Sequence, residues 1–260
     1  DRVYALIAPA FVNQFPALNN TAKLRAAMQQ LGFEDVVEVA IGADLCTVDE
    51  AKDFLEEVPA KKRFMATSCC PSWSMMAKTL FPELAGNISM AMTPMVFTAR
   101  MMKKADPEAR MCFVGPCAAK KLEASRRHVR SDVDFVLTFE ELAGMFEAKG
   151  VDFTHLDDMA KAVADQIHKW YPDKEVKIAS AQGLNECRKL LTMAKLGKYD
   201  GYLLEGMGCP GGCIAGAGTL ADPRKTAAVL AKYTAQADLK NPEESAFISN
   251  IHFLKDDDQQ

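Results

Sequence analysis

Apolar and polar positions follow two periods along this chain. Seven short runs rich in Val, Ile and Phe, at 3–8, 35–40, 63–68, 111–116, 133–138, 176–181 and 200–206, read as buried strands. Between them, apolar residues return every third or fourth position across 21–31, 48–58, 72–81, 94–104, 139–149, 158–170, 184–196 and 223–236, which predicts helices. Thr47, with Glu50 three residues on, predicts a capping box opening the helix at 48–58. Strand and helix in alternation predict an α/β fold of two lobes, each a mainly parallel twisted sheet flanked by helices. Gly150 and the polar stretch 154–158 place the division there. Residues 1–150 are expected to form the first lobe and 151–260 the second lobe with the C-terminal helices.

Composition narrows the function classes. The 260 residues are 49% apolar and 25% charged, with a net charge of −4, enough to bury a substantial core. No block of like charges occurs, so neither nucleic acid nor an anionic membrane is expected as a partner. The longest apolar runs, such as 3–11, are too short to span a bilayer. The chain opens on Asp1-Arg2 without a cleavage pattern, so no secretory leader is expected and a cytoplasmic location is.

The eight cysteines, at 46, 69, 70, 112, 117, 187, 209 and 213, change the picture most. A core of this size needs no disulfide staples. Cys69-Cys70 ends one strand candidate, Cys117 ends another, Cys209 follows a third, and Cys213 lies one turn beyond. Ligands of open α/β sheets bind at the carboxyl ends of strands. Three strand ends can therefore bring Cys70, Cys117, Cys209 and Cys213 to one point in the cleft between the lobes. A cubane iron–sulfur cluster takes four thiolates, one per iron. The Gly and Pro residues beside these cysteines allow close backbone approach, with turn amides aimed at the cluster sulfurs. Zinc is the rival, although only Cys209 and Cys213 have knuckle spacing. Inert core thiols are the third reading, and the one given to Cys46, Cys112 and Cys187.

Three segments carry a closer likeness. They are Thr67-Ser68-Cys69-Cys70-Pro71-Ser72-Trp73, then Pro116-Cys117-Ala118-Ala119-Lys120-Lys121-Leu122-Glu123, then Glu205-Gly206-Met207-Gly208-Cys209-Pro210-Gly211-Gly212-Cys213. In that order they resemble the signature segments of the [FeFe]-hydrogenase catalytic domain. The resemblance extends through Ala8-Pro9-Ala10, Leu31-Gly32-Phe33, Phe81-Pro82-Glu83-Leu84 and Asn87-Ile88-Ser89.

The resemblance implies an H-cluster: a [4Fe–4S] cubane on Cys70, Cys117, Cys209 and Cys213. Cys213 would also bridge to a two-iron subcluster carrying CO, cyanide and a bridging dithiolate amine. The implied reaction is reversible reduction of protons to H₂. Cys69 would relay protons, followed by Glu123, Ser89 and Asp53, the last in place of a family Glu. Lys120 would face a cyanide ligand, and Met207 would pack on the two-iron unit. Ala8, Pro9, Pro116, Thr93 and Pro94 would line the same pocket. The implied partners are protons and H₂, maturation proteins, and a ferredoxin-like electron donor or an N-terminal iron–sulfur domain.

The sequence also departs from the family pattern. Gly115 stands where Met usually precedes Pro-Cys, and Gly216-Ala217-Gly218 replaces three glycines. A glycine-rich stretch that normally borders the two-iron pocket does not occur between 150 and 165; either the chain has lost it or, the preferred reading, a chain break falls near 156–160. Two further classes remain open beside the enzyme. One is a related iron–sulfur protein without turnover, acting as a sensory or cluster-assembly module. The other is a zinc-stabilised structural domain.

Overall fold

The computed structural model describes residues 2–15, 21–127, 129–130, 132–151, 177–236 and 241–250. The described strands are β1 (Val3–Ile7), β2 (Asp35–Glu38), β3 (Met65–Ala66), β4 (Arg110–Gly115), β5 (Phe135–Thr138), β6 (Lys177–Gln182) and β7 (Tyr202–Met207). The described α-helices are α1 (Thr21–Leu31), α2 (Ala40–Glu57), α3 (Pro71–Leu80), α4 (Pro94–Ala105), α5 (Ala119–Ala124), α6 (Phe139–Lys149), α7 (Leu184–Lys195) and α8 (Pro223–Gln236). The helix expected at 158–170 and the break expected near 156–160 lie outside the described residues.

The strands form two sheets, ordered β2-β1-β4-β5 and β3-β7-β6. Every pairing is parallel, with registers such as Leu6↔Phe113 in the first and Ala66↔Leu204 in the second. Parallel sheets need apolar cover on both faces, and the strand runs supply it. Leu6, Ile7, Phe11, Met111, Phe113, Phe139 and Phe146 are buried in the first core. There the Phe15 ring meets Phe139 and Phe146 edge-on. Phe64, Trp73, Phe81, Leu191 and Leu204 fill the second. Phe54 of α2 and Val58 just beyond it pack on Met65 and Leu203 of the second sheet, while Leu45 and Val48 of α2 meet Phe97 of α4. Met95, Val96 and Ala99 of α4 join the first core. These two helices therefore link the sheets.

Two expectations are corrected. Residues 64–88 do not belong with the first lobe: β3 pairs with β7, and Trp73, Ala77, Phe81 and Leu84 pack with α7. The sheets interleave in sequence, so a boundary near 150 does not separate them, and Cys70 extends from the second sheet. Thr47 does not open a helix either, because α2 begins at Ala40 and buries Thr47 within it. The capping box occurs at Thr138 and Glu141, opening α6.

Candidate metal centre

The carboxyl ends of both sheets meet. β1 runs into Ala8-Pro9, and the Ala8 N–H donates to Val114 O at 2.8 Å. β4 ends at Gly115 and hands on to Pro116-Cys117. β3 is prolonged by a bond from Thr67 N–H to Leu204 O at 3.0 Å, then turns through Cys69-Cys70 into α3, with Pro71 as its first residue. β7 ends at Met207 and leads to the turn holding Cys209 and Cys213. That turn needs left-handed backbone at Gly211 (φ 98°) and Gly212 (φ 75°), which glycine adopts without steric cost. It folds back on the first sheet, where Gly218 N–H donates to Pro116 O at 2.9 Å.

Motif residues that carry no thiol fit this geometry. The Trp73 indole is fully buried and donates to Thr67 O at 2.9 Å. Gly206 lies under its ring, where any Cβ would overlap the indole carbons. The Trp and Gly of two separate segments therefore fix the Cys70 turn against β7.

The four expected thiols come together. Cys213 lies in the field of Cys70, Cys117 and Cys209, and also of the Lys120 ammonium. Cys209 is acted on by Cys117 and Cys70. The Gly208 N–H points at Cys70 Sγ, 3.3 Å away. Among the described residues, no three His, Cys, Asp or Glu side chains converge tightly enough for a single metal ion. The donor set fits an iron–sulfur group: four thiols, an amide already aimed at one sulfur, and a nearby cation to offset the anionic charge. Cys46, Cys112 and Cys187 are buried in the apolar clusters.

Lys120 and Glu123 form a buried ion pair, with Nζ to Oε2 at 2.6 Å and side chains 12% and 4% exposed. Lys120 also donates to Cys69 O at 3.1 Å, tying the segment after β4 to the segment after β3. The other oxygen of Glu123 accepts from Thr93 Oγ1 at 2.7 Å. Both carboxylate oxygens of Glu123, the residue expected to follow Cys69 in a proton relay, are thus hydrogen-bonded, one to Lys120 and one to Thr93. A second buried acid near Cys69 is Glu50 of α2. It is 3% exposed, accepts from the Ser89 hydroxyl and the Ser68 N–H, and acts electrostatically on Cys69. Burial lifts its carboxyl to about 7, against the lowering effect of Ser89 and Ser68. Burial likewise pushes the Cys69 thiol well above its ordinary range, and the Glu50 charge adds to this. Ser89 is buried beside Glu50, and Asp53 lies three residues along α2 from it. The signal for Glu50 was present in the sequence as an acidic i, i+3 pair, Glu50 and Asp53, which a helix presents on one face. Met207, Ala8, Pro9, Pro116 and Pro94 all lie at strand ends or helix starts around this point.

Two parallel sheets with their carboxyl ends turned toward one thiol quartet define an iron–sulfur domain of the hydrogenase fold. The family described as "Iron only hydrogenase large subunit, C-terminal domain" matches residues 1–171 and 161–217, and the chain belongs to it. The periplasmic [Fe] hydrogenase large subunit of Nitratidesulfovibrio vulgaris is 27% identical over 261 residues, 76% of this chain and 62% of that one. The cytosolic Fe-S cluster assembly factor NAR1 of Kluyveromyces lactis is 33% identical over 98 residues, 38% of this chain and 21% of that one. The chain spans 62%, 26% and 46% of the length of three hydrogenase relatives. The apo [FeFe]-hydrogenase HydA1 of Chlamydomonas reinhardtii, variant C377H, matches with a TM-score of 0.80 over 97% of this chain and 89% of that one. At 19% identity, that likeness is one of fold. Among the described residues, no helix is long and apolar enough to cross a membrane.

Proposed function

We propose that this hydrogenase-family domain holds a [4Fe–4S] cluster on Cys70, Cys117, Cys209 and Cys213. In this reading Cys213 would also help to hold a two-iron subcluster, and the domain would interconvert protons and H₂ (2 H⁺ + 2 e⁻ = H₂). The observation that carries the reading is the meeting of four thiols from both sheets beside a buried Lys120–Glu123 pair. When bound, the two-iron group with its CO, cyanide and dithiolate ligands supplies the site at which protons and electrons combine. Lys120 offsets the charge of anionic ligands where water is excluded. Cys69 passes protons to and from the pocket. Glu50, held near neutrality in its proton affinity, both accepts and gives them, with Ser89 and Asp53 carrying them onward. Electrons come from a ferredoxin-like donor or an attached iron–sulfur domain, maturation proteins load the two-iron unit, and the reaction takes place in the cytoplasm.

The test is iron and sulfide analysis of the reconstituted protein, then loading with a synthetic two-iron cofactor and assay of H₂. The expected results are a [4Fe–4S] spectrum, infrared bands of CO and cyanide, and H₂ turnover. The similarity to NAR1 favours a second reading, an assembly or sensory module without turnover. A stable four-iron protein that takes up the two-iron cofactor yet makes no H₂ would select that reading.

A further inference from the structure

Thr93 occupies the N-cap of α4, with φ −70° and ψ 156°. A threonine there ordinarily accepts a bond from a first-turn N–H through its hydroxyl. The Thr93 side chain makes no such bond. Pro94 removes one donor from that turn, and the Phe97 N–H is satisfied by the Thr93 carbonyl at 2.9 Å. The hydroxyl instead donates to Glu123 Oε1 at 2.7 Å, in a buried setting. The terminal torsion of a glutamate is soft, so bonds at its two oxygens decide how the carboxylate stands. Here those bonds come from Thr93 on one side and Lys120 on the other. The ammonium held this way is the one that reaches Cys69 O. An unbroken line of polar contacts thus runs from α4 through α5 to the segment carrying Cys70.

We infer that Thr93 is a positioning residue: its hydroxyl orients the Glu123 carboxylate, which holds the Lys120 ammonium against the carbonyl of Cys69. What Lys120 faces in the loaded protein rests on the proposed function, but the control of Lys120 by Thr93 does not. The pocket lining expected of Thr93 is therefore secondary to its bond with Glu123.

The test uses cluster-free full chain and follows acylation of Lys120 by a small amine-reactive ester, quantified by mass spectrometry. Thr93→Val raises the Lys120 rate about tenfold, the scale set by losing a hydrogen bond to a charged group. Thr93→Ser restores the wild-type rate. In a Glu123→Gln background Thr93→Val has no further effect, because the two residues act as a unit. Thr93→Ala carries the same expectation should the valine variant fail to fold. An unchanged Lys120 rate, a serine variant that behaves like valine, or an undiminished effect in the Glu123→Gln background would each overturn the inference. Iron content, measured separately, decides the cluster reading, so either can fail while the other stands.

Discussion

In the first sheet, Ala5, Leu6 and Ile7 of β1 and Met111 to Val114 of β4 are buried almost completely, with aromatic and aliphatic side chains covering them. In the second, β3 has two residues, and β6 is half-buried to exposed along its length. Yet the second sheet carries three of the four thiols. The first is a scaffold held by apolar burial, at about 1.5–3 kcal/mol for each large side chain. The second depends on a few close fits, above all Trp73 over Gly206 and the Thr67–Leu204 bond. Small errors of packing should therefore cost more function in the second sheet than in the first.

The largest effect sets one thiol from each sheet against the other. Cys70→Ser and Cys117→Ser should both abolish H₂ turnover and strip the [4Fe–4S] spectrum from the reconstituted protein, since each removes one iron's protein ligand. A Cys117→Ser protein with full iron content would leave the first sheet without a part in the centre.

Next comes Glu50, the acid on the helix between the sheets. Glu50→Gln should lower turnover by roughly 10²-fold or more, the scale of a lost proton-transfer group, with cluster content unchanged. It should also alter the pH dependence of stability. The folded-state value of about 7 lies above the ordinary 4.5, so the folded chain keeps a proton that the unfolded chain releases. The contribution of Glu50 to stability is therefore greatest below pH 4.5 and is lost as pH rises to about 7, by about 3 kcal/mol in all. Urea unfolding of cluster-free protein at pH 5 and pH 7.5 should show this slope, and Glu50→Gln should make it shallower, leaving the share of Asp44, whose carboxyl burial lifts to about 6. A slope unchanged by the substitution assigns it to other groups.

Much of this arrangement was legible. The strand runs and most helix bounds follow from periodicity, which is local, and the thiol quartet from cysteines placed at strand ends and from the family resemblance. What was hidden depends on contacts. The start of α2 was missed because Val36 to Ala40 reads as strand. The helix tolerates Gly42 because Pro94 O and Thr98 Oγ1 fill the space a side chain would need. That β3 joins β7 is invisible in a two-residue strand. Glu50 was read as half of a cap because Thr47 precedes it, and its burial against Ser89 depends on contacts remote in the chain.

The close fit in the second sheet gives a sharper test. Gly206→Ala drives a methyl into the Trp73 indole. Overpacking of this kind costs about 1–3 kcal/mol, and here the strain acts on the turn leading to Cys70. Iron retention on dilution should fall together with the thermal midpoint. A variant as stable as wild type would mean that the Trp73 contact is looser than drawn.

The smallest effect reverses the sign with the same substitution on the other sheet's cover. Gly144 lies inside α6, exposed, and a Cβ there meets nothing within 4 Å. Its backbone is helical, so alanine fits without strain and reduces the freedom of the unfolded chain. Gly144→Ala should therefore stabilise the protein by about 0.5–1 kcal/mol, raising the thermal midpoint with cluster content and turnover unchanged. Because α6 covers the first sheet, whose stability comes from general apolar burial, nothing near the thiols should respond. If Gly144→Ala moved the cluster spectrum, the division into a tolerant scaffold and a finely fitted carrier would be wrong at its most favourable point.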